Sequence, residues 1–465
     1  MRRPRVLHAI TAVSLIAICF LLLSFRRNSV SNEKTSNFHL LIVATGSDLN
    51  LCRLLLSASI LQYPPPTLID WKGEGEFNAA GSHLAKIHGT LRYLDALPKD
   101  QDNDMVLMLD GYDIVFQLGP EVLLQRYFAE IDTSNARLAS KFKKRLGYNS
   151  ILFGPDKTCF PVDFSRPACW AVPESPLSQF AFGPSTDSDM ERSRPRWLNS
   201  GTIMGPAADM RALFQATKTR IEQTYDENNE LRNSDQMYFS DLWAEQEYAR
   251  LLHRDGKAID PMPQERPGVE RQHPDLKGEQ PDYHVALDYG SNLFQTSAGY
   301  RQYLSWITFN QSTIGPESKA TEPWKLDLPK DIEQSPKPFA AIGDEDTTWR
   351  DVPLGVNTVT GSVFPLIHFT GDKSFRDLWW PRMWFFPQAK KLLVGSSMFA
   401  DEEPEIGSVH GIRFVKHGIP GSSDQDQEAS SSGGARGDGG ERLSWVGLCK
   451  NHQDGLFSGK SPPRG

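Results

Sequence analysis

The chain has 465 residues, of which 39% are hydrophobic and 23% charged, and its formal net charge is -8. These fractions are those of a globular protein and exclude a wholly disordered or collagen-like chain. A net negative charge without a long basic block argues against nucleic acid as a partner. The length allows two or three domains, or one elaborated α/β domain.

The N-terminus carries an almost uninterrupted apolar run from Val6 to Phe25, preceded by three Arg and followed by two. About 20 such residues are what a membrane-spanning helix needs, and no small-residue cleavage pattern follows the run. We predict a signal anchor over residues 1–27 that attaches the chain to a membrane, followed by a stem over 28–37; a cleaved signal peptide is the alternative. The Arg excess before the run predicts a single-pass type II membrane protein of the Golgi or ER with a lumenal body.

The C-terminal residues 416–465 are predicted to be a disordered tail. The stretch Ser422 to Arg442 is rich in Ser, Gly and Asp, a composition that cannot bury a core. It contains the tripeptide Arg436-Gly437-Asp438, which we interpret as a chance occurrence and not as an adhesion motif.

The five cysteines do not form a zinc or redox motif. Cys19 falls in the predicted anchor and Cys449 in the predicted tail, which leaves Cys52, Cys159 and Cys169. The last two are either a short-loop disulfide or a pair of free thiols.

The body, residues 38–415, alternates between strand and helix patterns. A continuous apolar run, too short for a helix, reads as a strand buried on both faces, and apolar residues three and four apart predict an amphipathic helix. The resulting order is strand, helix, strand, helix, strand over Phe38–Thr45, Asp48–Gln62, Thr67–Asp70, Leu84–Leu94 and Met105–Leu109. This alternation predicts an α/β fold with a doubly wound, mostly parallel sheet flanked by helices.

The sequence Asp110-Gly-Tyr-Asp113 follows the last of these strands. Ligands of open α/β sheets bind beyond the carboxyl ends of the strands, and two converging carboxylates suit Mg or Mn. Tyr112 between the two acids could stack on a base. The alternative is a surface turn with solvated acids.

Three later clusters carry polar groups that could serve the same site. Trp197-Leu-Asn-Ser-Gly201 offers hydrogen bonds to sugar hydroxyls, or is a plain turn. Asn233-Ser-Asp-Gln236 is predicted to start a helix. Asp235, in its first turn, is either a catalytic residue or an acid that stabilises the helix N-terminus. His368 ends an apolar run and could complete a metal site, with Lys373 placed to neutralise a diphosphate; a hydrogen-bonded structural His is the alternative.

Taken together and in this order, the motifs over residues 38–380 resemble the glycosyltransferase domain of the procollagen-lysine hydroxylases, the collagen glucosyltransferases. The matching residues are Val43-Ala-Thr45, Trp71-Lys-Gly73, Lys86, Asp110-Gly-Tyr-Asp113, Cys159-Phe-Pro161, Leu198-Asn-Ser-Gly201, Asp235-Gln236, Leu287-Asp288 with Phe294-Gln295, and His368. No single motif is specific, but nine in register make coincidence improbable.

The resemblance implies a GT-A fold over residues 38–415 that binds a UDP-sugar through Mn, or Mg. By matching position, Asp110, Asp113 and His368 would hold the metal, while Thr45 and Tyr112 would contact the uridine.

The same resemblance implies the remaining site residues. Trp71 and Lys86 would lie at the donor, and Lys86 and Asp235 would face the diphosphate-sugar. Lys373 is not among the matching residues and remains a candidate only from its place in the loop after His368. Asn199 would contact the sugar or the acceptor. Asp235 is the nearest candidate for a catalytic base or nucleophile, and metal-assisted departure without a protein nucleophile is the alternative.

The sequence also departs from the family. The family's last loop reads His-Gly-Asn-Gly where this chain has His368-Phe-Thr-Gly371, an insertion is expected at about 316–357, and the hydroxylase domain is not found. We expect a metal-dependent glycosyltransferase that moves a hexose from a UDP-sugar to a protein or glycan acceptor. The alternatives are a transferase for another nucleotide sugar and a catalytically inactive GT-A-fold binding or scaffold protein.

Overall fold

The protein is described by a computed structural model over residues 34–73, 83–141, 147–255, 269–278, 281–310, 326–399, 405–416 and 434–458. Its strands are β1 (Lys34–Val43), β2 (Thr67–Ile69), β3 (Met105–Asp110), β4 (Ile114–Phe116), β5 (Ile151–Asp156), β6 (Trp197–Pro206), β7 (Val285–Leu287), β8 (Phe294–Thr296), β9 (Leu304–Ile307), β10 (Leu354–Asn357), β11 (Ser362–Val363), β12 (Leu366–His368), β13 (Glu405–Val409), β14 (Ile412–Lys416), β15 (Ala435–Gly437) and β16 (Arg442–Leu443). Its α-helices are α1 (Leu49–Ile60), α2 (Ala85–Ala96), α3 (Pro120–Lys141), α4 (Pro167–Trp170), α5 (Ala207–Thr224), α6 (Asp235–Asp255), α7 (Lys330–Glu333), α8 (Ser374–Trp379), α9 (Ala389–Phe399), α10 (Trp445–Cys449) and α11 (Gln453–Phe457).

A ten-stranded sheet forms the centre of the fold, with the main order β16-β15-β2-β1-β3-β6-β5-β7 and with β13 and β14 attached at the start of β1. Strand β1 is parallel to β2, β3 and β14, while β6 runs antiparallel to both of its neighbours. The protein is therefore a mixed α/β fold with a mostly parallel central sheet flanked by helices, as the strand-helix alternation predicted.

The alternation of side chains along the central strands explains why both faces of the sheet are covered. In β1, Leu40 and Ile42 pack in one buried apolar cluster, and Leu41 packs in a second. Since successive side chains point to opposite faces, a strand that is apolar throughout needs a hydrophobic layer on each side. Helix α1 supplies residues such as Leu55 to the first cluster, and α2 supplies residues such as Ile87 to the second.

A local signal accounts for the start of the first helix. The Asp48 carboxylate accepts hydrogen bonds from the backbone N–H groups of Asn50 and Leu51 at 2.8 and 2.7 Å, which caps α1. The predicted helix from Asp48 to Gln62 therefore agrees with the structure to within two residues at each end.

Two predicted boundaries are wrong. Strand β1 begins at Lys34 and pairs there with Ile412 of β14, so the last four residues of the predicted stem belong to the sheet. Residues 434–458, assigned to a disordered tail, form β15, β16, α10 and α11. Composition misled here because the Gly- and Ser-rich stretch is followed by Trp445, Leu448 and Leu456, which are at most 6% exposed and join the main core.

Part of the predicted insertion at 316–357 also has regular structure. Residues 326–357 include α7 and β10, and β10 pairs with β9 and β11 in a three-stranded sheet. Residues 316–325 lie outside the described residues.

The prediction of a single-pass type II membrane protein is corrected by the structure. None of the helices in the described ranges is long and apolar enough to cross a membrane. The longest of them, α3, has 22 residues, but acidic and basic side chains occur along its whole length. The apolar run at 6–25, on which the predicted anchor depended, lies outside the described residues.

Two disulfides join the four described cysteines. Cys159 pairs with Cys169, which resolves the alternative left open by the sequence, and Cys52 pairs with Cys449. The second pair links α1 to α10 across a sequence separation of 397 residues, so the predicted tail is covalently tied to the body.

Candidate functional site

The candidate site begins where β3 ends at Asp110. Gly111 follows, and a Cβ at that position would lie 2.4 Å from the carbonyl oxygen of Val43, so the tight passage beside β1 requires glycine. The chain then turns through Asp113 into the short strand β4.

A small sheet brings His368 to the same place. Strand β12 pairs antiparallel with β4, which sets His368 opposite Ile114, and the backbone N–H of Phe369 donates to the carbonyl of Asp113 at 2.7 Å. Ligand atoms of Asp110, Asp113 and His368 consequently all lie within 4.8 Å of one another. His368 Nε2 is 3.3 Å from Asp113 Oδ2.

The residues of this trio fit a divalent cation. Asp113 Oδ1 and His368 Nδ1 are buried and have no hydrogen-bond partner among the described residues. Unpaired buried polar atoms are costly unless a ligand or water satisfies them. The two carboxylates suit Mn or Mg, and the imidazole suits a transition-metal ion such as Mn better than Mg.

Asp113 is held in its ionised form. Burial alone raises the pKa of this carboxyl, but His368 and Lys373 lower it by more, so that the pKa lies well below its usual range. Lys373 Nζ donates to Asp113 Oδ2 and, at 2.9 Å, to the carbonyl of Phe369. Lys373 is thus paired with a candidate metal ligand instead of extending freely toward solvent.

Lys86 reaches the cluster from α2 and is 3% exposed. Its Nζ lies 3.1 Å from Asp110 Oδ1, 2.6 Å from Asp235 Oδ2 and 3.2 Å from the carbonyl of Ser200. Burial lowers the pKa of this amine, but the two carboxylates outweigh it and the pKa is raised overall. A charged ammonium therefore bridges Asp110 to the start of α6.

The Asn199-Ser200-Gly201 segment of β6 forms one wall of the site. A Cβ on Gly201 would stand 2.2 Å from His368 Cε1 and 2.8 Å from Asp110 Oδ2, so only glycine leaves room for these side chains. The Asn199 side chain accepts from the Gly201 N–H at 3.0 Å and lies 3.4 Å from Gln236 Oε1.

The loop after β1 is fixed by Tyr112. The Tyr112 hydroxyl accepts from the backbone N–H groups of Thr45 and Gly46 at 2.9 and 3.0 Å and donates to the Gly46 carbonyl. The hydroxyl is therefore used within the protein, while the half-buried ring remains the part of Tyr112 that could contact a ligand.

Trp71 does not join the polar cluster. It follows β2, is 9% exposed and belongs to the main hydrophobic core. Its indole Nε1 is buried without a hydrogen-bond partner in the described part of the chain. The backbone N–H of Lys72 donates to the Thr45 carbonyl at 3.0 Å, which joins the Trp71 loop to the loop after β1.

Sequence reasoning missed Asp156 at the end of β5. Its Oδ2 lies 3.5 Å from Asn199 Nδ2. Burial raises its pKa to about 6, against the opposing hydrogen bonds of Lys157 and Asn199 and the charge of His368. The rule that selected Asp110, a carboxylate at the end of a buried apolar strand, applies equally to Asp156 after Ile151-Leu-Phe153 and could have found it.

Comparison with known proteins found a distant similarity. No family model matches the chain. A curated protein of Caenorhabditis elegans, a multifunctional procollagen lysine hydroxylase and glycosyltransferase, is 24% identical over 171 residues. The match covers 37% of this chain, and the chain spans only 17% of the relative's length. The chain is therefore distantly similar to part of that protein, in agreement with the motif order described above.

Proposed function

We propose that this protein is a metal-dependent glycosyltransferase of the GT-A type that transfers a hexose from a UDP-sugar to a protein or glycan acceptor. The observation that carries the proposal is the convergence of Asp110, Asp113 and His368 beyond the end of β3. The distant similarity to a protein described as a glycosyltransferase supports it, as does the general location of ligand sites in α/β sheets.

In the proposed site, Asp110, Asp113 and His368 hold Mn or Mg. Such an ion supplies positive charge to the diphosphate that leaves with UDP, without any proton transfer. Lys373 then has to release Asp113 Oδ2, to which it is hydrogen-bonded, before that oxygen can serve as a ligand. The released ammonium remains tethered beside the site and is the proposed partner of the diphosphate.

The proposed donor site lies between the loops that follow β1, β2 and β3. Thr45, Tyr112 and Trp71 are proposed to bind the nucleotide, with the Tyr112 hydroxyl fixing the shape of the first loop. Lys86 is proposed to face the diphosphate-sugar with its ammonium. It is buried and holds the Asp110 and Asp235 carboxylates in a fixed arrangement beside the donor.

The proposed catalytic groups are Asp235 and Asn199. Asp235 is 3% exposed and its Oδ2 lies 2.6 Å from Lys86 Nζ, which fixes the carboxylate at the start of α6 for its proposed role as a base or nucleophile. Asn199, which lies between Asp156 and Gln236, is proposed to orient the sugar or the acceptor.

A donor screen tests the proposal. The full chain is incubated with a panel of UDP-hexoses and other nucleotide sugars, with and without Mn, and release of the nucleoside diphosphate is measured. We expect Mn-dependent turnover of at least one UDP-hexose, which Asp113→Ala abolishes while the exposed control Asp346→Ala retains it. Turnover of only another nucleotide sugar would overturn the UDP assignment. Binding of UDP without any turnover would favour the inactive binding protein, and absence of both would refute the proposal.

A further inference from the structure

Residues 434–458, which we call the C-terminal strap, are attached to the body at two places. Strand β15 extends the sheet beside β2, with the Arg436 N–H bonded to the Pro66 carbonyl at 2.9 Å and the Asp438 N–H to the Leu68 carbonyl at 3.0 Å. At its other end, Cys449 of α10 forms the disulfide with Cys52 of α1. The strap is therefore fixed to β2 near its start and to α1 near its end.

The first attachment supports the loop Asp70–Gly73 that carries Trp71. Asp438 Oδ2 accepts the backbone N–H of Asp70 at 2.9 Å, and Lys72 Nζ is 3.4 Å from Glu441 Oε1. Asp70 and Lys72 have φ values of 58° and 68°, in the left-handed region. Non-glycine residues rarely adopt this conformation, which persists where surrounding contacts impose it. The strap supplies contacts of this kind.

The second attachment supports the loop Thr45–Asp48. Ser47 Oγ donates to the carbonyl of Leu448, next to the disulfide. Helix α11 packs so closely on the start of α1 that a Cβ on Gly455 would lie 2.8 Å from both terminal carbons of Leu49. Because the Lys72 N–H also bonds to the Thr45 carbonyl, the strap contacts a pair of loops that are already joined to each other.

We infer that the C-terminal strap is a positioning element that holds the Thr45–Asp48 and Asp70–Gly73 loops in the conformation that binds the nucleotide of the donor. This inference rests on the proposed function, because those loops carry Thr45 and Trp71. Asp438 and Cys449 are positioning residues and touch no reacting atom. The Arg436-Gly437-Asp438 tripeptide has a structural use here, since the Asp438 carboxylate is bonded to the backbone of Asp70.

The test compares Asp438→Asn and Cys449→Ser with a control in the same segment, Val446→Ser. Val446 is 62% exposed, so its substitution changes the strap without touching either loop. Circular dichroism establishes that each variant is folded. Two quantities are then measured on the full chain: the dissociation constant for UDP with Mn, and the rate of amide hydrogen exchange at residues 45–48 and 70–73 without any ligand.

For Asp438→Asn and Cys449→Ser we expect UDP to bind about tenfold more weakly and both loops to exchange faster, while Val446→Ser behaves as wild type. In the turnover assay the KM for the donor should rise about tenfold with kcat changed less than about twofold, since the loops position substrate and do not react. Treatment of the wild type with a dithiol, which donates two electrons and two protons to the Cys52–Cys449 bond, should reproduce the Cys449→Ser result on the Thr45–Asp48 loop.

Unchanged hydrogen exchange in both loops would overturn the inference, as would equal losses in kcat and kcat/KM. If wild-type protein binds no UDP, the proposed function fails by itself. The exchange rates then still decide whether the strap holds the loops, so the two failures are distinguishable.

Discussion

His368 Nε2 lies 3.3 Å from Asp113 Oδ2, although one residue ends β12 and the other precedes β4. The antiparallel pairing of these two short strands creates the contact. The main sheet then needs to supply only Asp110, at the end of β3, to complete a three-residue cluster. The candidate metal site is thus built at the junction of two sheets, and its geometry depends on how closely their strand ends approach.

Gly201→Ala should weaken metal binding without unfolding the protein. The added Cβ would stand 2.2 Å from His368 Cε1 and 2.8 Å from Asp110 Oδ2, so the imidazole and the carboxylate must both move. Displacing groups that orient metal ligands commonly costs ten- to a hundredfold in affinity, and we expect a loss of about that size. Mn binding can be measured by electron paramagnetic resonance of the free ion.

The control for this change is Gly205→Ala in the same strand. Its added Cβ would meet Ile151 and the Ser150 carbonyl at 3.1 Å, which perturbs β6 away from His368. Equal losses of Mn affinity in both variants would show that the effect of Gly201→Ala is general strain in β6.

Lys373→Met should strengthen Mn binding while weakening donor binding. Lys373 Nζ donates a hydrogen bond to Asp113 Oδ2. Its removal frees that oxygen as a ligand and eliminates a positive charge that repels the metal ion. We expect the dissociation constant for Mn alone to fall by about three- to tenfold, and the KM for the donor to rise. The exposed Lys390→Met is the matched control. Weaker Mn binding in Lys373→Met would mean that the lysine supports the site instead of competing for it.

The surroundings of Asp110 could be predicted from the sequence only in part. The strand that ends at Asp110 is apolar on both faces, so its position between two hydrophobic layers followed from its run of apolar residues. The antiparallel pairing of its neighbour β6 did not. The pairing of Asp113 with Lys373 did not, because it depends on how a Gly-containing loop folds back after β12. Asp156 was missed although the strand-end rule covers it.

The C-terminal strap shows a different limit of sequence reasoning. The Gly- and Ser-rich stretch that precedes and enters it predicts disorder, whereas Cys449 and Trp445 are buried against α1 and the main core. Pairing Cys449 with Cys52 requires knowing that α1 and α10 lie side by side, and no local pattern contains that information.

Lys86→Met should destabilise the fold strongly. The substitution leaves the buried Asp235 carboxylate and the partly buried Asp110 without the ammonium between them. Removing one partner of a buried ion pair typically costs about 3–5 kcal/mol, because the remaining charge is uncompensated. The free energy of unfolding in urea should fall by about that amount.

A double variant separates this cause from lost packing. Lys86→Met/Asp235→Asn removes the buried charge together with its partner, so part of the stability should return. Lys218→Met, which breaks a pair between partly exposed side chains at 3.9 Å, should cost less than about 1 kcal/mol. If the double variant is no more stable than Lys86→Met, uncompensated charge is not the source of the loss.

Asp70→Asn should stabilise the protein at neutral pH and have little effect in acid. Burial raises the pKa of Asp70 to about 6, the neighbouring Asp438 adds to the rise, and Arg92 opposes it. In the unfolded chain the pKa of Asp70 is near its ordinary value of about 4.

Between about pH 4 and pH 6 the folded protein therefore binds more protons than the unfolded one, so wild-type stability falls as the pH rises through this window. Asparagine does not titrate, so the urea midpoint of the variant should exceed that of wild type above about pH 7 and approach it near pH 4. Asp346→Asn, at an exposed position, should show no such divergence. An Asp70→Asn midpoint that tracks wild type across the whole range would mean that Asp70 is ionised in the fold without cost, and that Arg92, 3.5 Å from its Oδ1, outweighs both burial and Asp438.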